Sequence, residues 1–362
     1  MNPLEIWQGW SREIGRIVPG LGAWQRRALA LFSLGVASAK HCGTARVAAV
    51  VPGPATVPST TRRFERLLAN GRLDVRAARS AVAATVLEQG RGQTLWLALD
   101  ETHQGRMGTG ARLGMLAVRL CYRERAIPLA WVCYRPGEAE APFSVLIGRL
   151  LAEVAALVPP DTHVVLMTDR GLSWPSLLDQ CRRRGWSFLC RVQGSTRIQD
   201  ADGVTGPIRA RAPRPGTRWQ GRGRAFLKAG WRAVNVVAVW RRADDEPWLL
   251  VTDLAPAWLR CAQYRHRMDE ELSFRDDKSS GFDWDASRVR EPAHMDRLLL
   301  VLQLAACFVL AQGVFVLHHG LRAVLERPDR RTLSLFSLGL RWLDRARTHF
   351  VTLTSCLRLP FH

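Results

Sequence analysis

The chain predicts an α/β fold, on three observations from its first half. Residues 94–100, Thr94-Leu-Trp-Leu-Ala-Leu-Asp100, are an apolar run that stops on a carboxylate. Residues 162–169, Thr162-His-Val-Val-Leu-Met-Thr-Asp169, repeat that design. Around them, strand-like and helix-like periodicities alternate in the order β-β-β-α-β-α-β. A buried strand that ends on Asp presents the carboxylate at its C-terminal edge, where α/β sheets place their chemistry.

The elements follow in order. Residues 1–90 read as short helices separated by Gly and Pro, clearest at 4–17, 23–39, 61–68 and 75–88. Together they predict a helical N-terminal DNA-binding domain, with 12 Arg and Lys against five acids. Within it Ser59-Thr60-Thr61 offers capping hydroxyls ahead of Arg62, Arg63 and Arg66. A short basic helix of this kind could lie on phosphate or enter a groove; the alternative is a solvated helix face.

Residues 91–192 form the first part of the core. Strands are expected at 94–100, 113–122 and 126–134, a helix at 143–157, the second carboxylate strand at 162–169, a helix at 174–184 and a strand at 187–192. The turn with Gly105, Gly108 and Gly110 lacks G-K-[ST] and precedes a strand, which argues against a phosphate-cradling loop. Residues 193–250 interrupt the core with Pro213, Pro215, several Gly and β-rich stretches at 224–228, 234–241 and 248–253. They predict an inserted β subdomain, and positions 193–242 carry 11 basic residues against two acids. The core resumes over 251–320, and residues 321–362 close the chain as a helical tail.

Composition narrows the class of partner. The 362 residues carry a formal charge of +20 and a pI near 11.1, which points to a polyanion. The eight cysteines are scattered without a C-x2-C pair, so neither a zinc site nor a disulfide frame follows. The first 16 residues lack the uninterrupted apolar stretch of a signal peptide, and a reduced, cytoplasmic setting is expected. Residues 298–317 hold twenty positions without a charge, long enough to span a bilayer. Gln303, Gln312 and Gly313 within that run favour a buried core helix over a membrane anchor, so no membrane partner is expected.

The most specific pattern lies further along, at Tyr264, Arg267, Glu271 and Lys278, spaced Y-x2-R-x3-E-x6-K. On a continuous helix the last three fall at about 300°, 340° and 320° from Tyr264, so all four share a narrow arc about 21 Å long. A carboxylate between cations along such a length suits a run of backbone phosphates. The alternative is an exposed helix face on which Arg267 and Glu271, four residues apart, form an ion pair. Asp269 and Glu270 fall at about 140° and 240° on the same wheel, away from the stripe. Asp276 and Asp277 are expected to be solvated.

On these residues the chain resembles the bacterial DDE transposases of the insertion-sequence-four family, whose members carry this YREK signature. The order β-β-β-α-β-α-β is that of the RNase H-like fold, in which the first and fourth strands lie side by side. The resemblance implies Asp100, Asp169 and Glu271 as catalytic residues that hold Mg2+ or Mn2+, two ions per site. Three converging carboxylates would otherwise repel one another, and hard oxygen donors suit these ions. It also implies that Tyr264, Arg267 and Lys278 contact phosphates near a cleaved end, and that double-stranded DNA is the partner, as element terminal repeats and as target. A homodimer in the synaptic complex is expected as well. Trp240 and Trp248 are candidates for stacking on a flipped base, with packing as the alternative. His103 could touch a scissile phosphate. Two other readings remain open: a catalytically inactive, domesticated DNA-binding descendant, and a protein anchored in a membrane by residues 298–317.

Overall fold

The computed structural model describes residues 3–104, 113–268, 282–349 and 351–361. Five helices come first, α1 (Pro3–Ile17), α2 (Ala23–Ala39), α3 (Thr44–Ala48), α4 (Val57–Leu68) and α5 (Val75–Glu88). α4 starts four residues before its expected first position. Thr56 caps it, its hydroxyl accepting from the Ser59 amide at 3.4 Å, and Pro58 sits in the first turn. Ser59, Thr60 and Thr61 therefore lie inside the helix instead of ahead of it. Thr60, Phe64, Leu67 and Leu68 form its buried stripe.

An antiparallel meander of β1 (Thr94–His103), β2 (Gly114–Tyr122) and β3 (Arg125–Tyr134) follows. α6 (Phe143–Ala155) leads to β4 (His163–Thr168), and α7 (Pro175–Arg183) leads to β5 (Ser187–Arg191). β4 runs parallel to β1 on one side and to β5 on the other. The first and fourth strands are thus neighbours, as the resemblance to the RNase H-like fold implies.

The stretch expected as an insertion is built from β6 (Arg197–Asp200), β7 (Thr205–Pro207), β8 (Arg218–Ala225) and β9 (Arg232–Val239). It does not form a sheet of its own. β10 (Trp248–Thr252) pairs antiparallel with both β5 and β9 and joins everything into one ten-stranded sheet, ordered β3-β2-β1-β4-β5-β10-β9-β8-β6-β7. After β10 come α8 (Leu259–Tyr264), α9 (Pro292–His318) and α10 (Leu335–Thr348).

Side chains alternate across the sheet and build two unequal hydrophobic layers. Leu95, Leu97 and Leu99 of β1 join a large cluster that also takes in residues of the N-terminal helices, α6, α7, α9 and α10. The N-terminal helices therefore share the core of the rest of the chain. Ala98 belongs to a second, small cluster with Val165, Met167, Leu189, Val237, Leu250 and Tyr264.

α9 is the uncharged run noted in the sequence. It is long and apolar enough to cross a membrane, yet most of its apolar side chains are buried inside the protein. Its polar residues are used within the fold. Gln303 donates to the Pro128 carbonyl at 2.7 Å, and Gln312 donates to Thr354 at 2.7 Å and accepts from its amide at 3.1 Å. α9 and α10 meet backbone to backbone. A Cβ on Gly313 would lie 2.2 Å from the Leu335 carbonyl oxygen, and one on Gly339 would lie 2.0 Å from that of Val309. All eight cysteines are free thiols.

Candidate active site

β1 and β4 place the two aspartates. Their parallel register aligns Ala98 with Met167 and Leu99 with Thr168, so the next step aligns Asp100 with Asp169. Parallel neighbours lie about 4.8 Å apart. Asp100 continues the alternation of Trp96 and Ala98, and Asp169 that of Val165 and Met167, so both carboxylates fall on the sparsely covered face. Asp100 does not end its strand, because β1 runs on to His103.

Each carboxylate is held by neighbours. Asp100 Oδ1 accepts from the Glu101 amide at 2.9 Å, and Oδ2 accepts from Arg267 Nη2 at 2.7 Å. The side chains of this ion pair are only 10% and 13% exposed for Arg267 and Asp100, so low polarity strengthens it. Asp169 Oδ1 accepts from the amides of Gly171 at 2.8 Å and Leu172 at 3.2 Å, which fixes the turn after β4. Among the described residues nothing donates to Asp169 Oδ2.

The predicted stripe is only partly within the described residues. Glu271 and Lys278 lie outside them, as do Asp269, Glu270, Asp276 and Asp277. The helix carrying Tyr264 does not continue as one α-helix either. α8 ends at Tyr264, and a 3-10 turn takes over at Arg265–Arg267. Residues three apart eclipse in such a turn, so Tyr264 and Arg267 still point the same way. Both point inward. Tyr264 is buried, packs edge-on against Trp248 at 5.6 Å and donates its hydroxyl to the Thr168 carbonyl at 2.9 Å. Its phenol is pushed up by burial, against the pull of Arg267 and Arg191 and with a contribution from Asp169. In this structure Tyr264 braces the end of β4, and Arg267 neutralises Asp100.

One residue at the site carried no signal in the sequence. In the β4–β5 register Arg191 falls opposite Asp169, on the same face. It donates to Glu246 at 2.7 Å, and Glu246 also accepts from Arg170 at 3.0 Å. These contacts hold the Glu246 carboxyl below its ordinary value, Arg170 contributing most. Only the strand register reveals the position, since Arg191 sits in an apolar strand without a motif.

Other candidates lie elsewhere. Glu101 and His103 alternate to the opposite face from Asp100, where Glu101 accepts from the Tyr134 hydroxyl and lies 3.3 Å from His103 Nε2. His103 is thus directed away from Asp100. Trp240 donates to the Asp244 carbonyl at 2.9 Å and lies 4.1 Å beneath the Arg209 guanidinium. Arg62 and Arg66 are exposed on α4 and Arg63 is half-buried. α4 packs chiefly against α2, α3 and α9, so these arginines are not gathered with the aspartates. No group of three His, Cys, Asp or Glu able to hold a metal occurs among the described residues. The Gly105, Gly108 and Gly110 turn also lies outside them.

None of the curated proteins compared with the chain matches it. Residues 145–308 match the family model described as the transposase DDE domain, a stretch that contains Asp169, the sheet extension, α8 and Glu271, while Asp100 precedes it. Over these residues the chain is similar to a transposase DDE domain.

Proposed function

We propose that the chain is a metal-dependent DNA transposase of the insertion-sequence-four family. In this reading it cuts the ends of its element and joins the 3′ ends to target DNA on an RNase H-like core. The observation that carries the reading is the alignment of Asp100 and Asp169 at neighbouring positions of two parallel strands, on one face. The donor chemistry fits Mg2+ or Mn2+. Both groups are hard carboxylates, and Asp169 Oδ2 is uncommitted among the described residues. Glu271 would complete the set. Two ions held there would activate the attacking oxygen and neutralise phosphate charge.

The protein's own part is positional and electrostatic. Asp169 is oriented by the Gly171 and Leu172 amides, and Tyr264 ties the 3-10 turn to β4. Arg267 offsets the charge of Asp100 and would turn to phosphate when ions take that carboxylate. Lys278, with Arg62, Arg63 and Arg66, would make further backbone contacts to duplex DNA, and pairing of two ends calls for a homodimer. The test is strand cleavage of the inverted repeats flanking the gene, with Mg2+ or Mn2+. Activity lost in Asp100→Asn and in chelator supports the reading. Duplex binding without any cleavage under these conditions would favour an inactive descendant.

A further inference from the structure

Six arginines of the sheet extension contrast in their partners. Arg211, Arg232 and Arg241 each have a carboxylate, in Asp200 at 2.6 Å, Asp179 at 3.0 Å and Asp244 at 2.7 Å. Arg218, Arg222 and Arg224 of β8 have none among the described residues, and all three are exposed. Two of them are stacked, Arg218 at 5.0 Å over Trp258 and Arg224 at 4.9 Å over Trp231. Arg224 also donates to the neutral Gln199 at 2.7 Å. Such stacking orders a guanidinium without cancelling its charge.

The register fixes where this row faces. Gln220 of β8 pairs with Val237 of β9, and Val237 belongs to the small cluster beneath Tyr264. Arg218, Arg222 and Arg224 lie an even number of residues from Gln220, so they are on its face of the sheet, the one that bears Asp100 and Asp169. Trp219 and Ala225 turn to the large cluster on the other side. Asp200, the acid of the neighbouring strand, pairs with Gly223 and so turns away as well. Five strand spacings separate β1 from β8, about 24 Å, or about seven base pairs of duplex.

We infer that Arg218, Arg222 and Arg224 form a second duplex-binding surface, gripping the phosphate backbone about seven base pairs from the carboxylate site. This rests on the transposase reading and extends it to a fixed distance along the DNA. The three guanidiniums replace counterions on phosphates around that point of the duplex, while the sheet keeps their separation from Asp100 constant.

The test is binding of a fluorescent duplex about 30 base pairs long in EDTA, over a salt series. The readout is the slope of log affinity against log salt, so cleavage plays no part. The triple variant R218Q/R222Q/R224Q should lower the slope by about two to three and weaken binding at least about tenfold near 0.1 M salt. The triple Lys variant should keep the wild-type slope, since charge alone sets it. A slope lowered by less than one in the Gln variant, or lowered equally in the Lys variant, overturns the inference. If the wild type itself fails to bind duplex, the transposase reading falls too; if only the variant's predicted change is missing, this inference falls alone.

Discussion

The two faces of the sheet share the same strands and differ in what lies on them. One face carries Leu95, Leu97, Leu99, Val164, Leu166 and Phe188 into a continuous core with the N-terminal helices and α9. The other carries Trp96, Ala98, Val165 and Met167 under α8, and then Asp100, Asp169, Arg191 and the β8 arginines. A strand has only two sides, so a chain that needs charged groups at the end of buried strands must obtain its stability from the opposite side. In the proposed reading, function and stability are separated by alternation within each strand. Changes on the two faces should therefore have different consequences.

The largest expected effect is on the carboxylate face. Asp169→Asn keeps an acceptor for the Gly171 and Leu172 amides but loses the charge. Cleavage should fall by roughly 10³-fold or more while the thermal midpoint hardly moves. Equal losses of both would mean that Asp169 is a structural residue.

On the covered side, Arg79 of α5 binds Glu153 of α6 through two hydrogen bonds of 2.9 Å each, with both side chains under 10% exposed. Glu153→Ala leaves a buried cation and should cost about 3–5 kcal/mol in denaturant unfolding. Activity per folded molecule should be unchanged.

Alkaline pH probes the same side without mutation. Burial pushes the thiols of Cys190 and Cys307, both in the large cluster, up to about 12 from an ordinary 9.0. Above pH 9 the unfolded chain would release protons that the folded chain retains, so stability is full below that pH and declines as pH rises. Urea unfolding at about pH 10 should show a loss of about 2–3 kcal/mol relative to neutral pH. Replacing both cysteines by Ala should reduce that dependence, with the buried thiols of Cys133 and Cys181, also pushed up by burial, carrying part of the remainder.

A smaller effect is expected at the seam between α8 and β4. Tyr264→Phe deletes the hydrogen bond to the Thr168 carbonyl and should cost about 1–2 kcal/mol. If its hydroxyl acts only as a brace, cleavage should recover at lower temperature. Persistent loss would place the hydroxyl on the substrate.

Much of this arrangement was legible in the residues. The helix at Pro3–Ile17 has a sharp apolar period, and those at Ala23–Ala39 and Val75–Glu88 are long stretches of Ala and Leu or Val with clear starts after Gly22 and Asp74. The adjacency of Asp100 and Asp169 followed from the resemblance, since the RNase H-like fold sets its first and fourth strands side by side, and β1 and β4 are neighbours. The end of β1 was not legible. Glu101-Thr102-His103 reads as polar loop, and it is strand because these residues pair with Leu116, Met115 and Gly114 of β2, while Tyr134 of β3 donates to Glu101. β8 was misplaced in part for a similar reason. Arg218-Trp-Gln-Gly-Arg-Gly-Arg-Ala225 has weak strand propensity, and pairing with β9 along its whole length makes it a strand. The single helical stripe assumed α-geometry through residue 278, whereas the described part turns 3-10 directly after Tyr264. Arg191 could not be found without the register.

Whether Asp100 and Asp169 are paired for divalent ions is decided by Mn2+ binding followed by electron paramagnetic resonance. The wild type should hold Mn2+ that Asp100→Asn and Asp169→Asn each release, with both variants folded by circular dichroism. Undiminished Mn2+ binding in either folded variant would contradict the account.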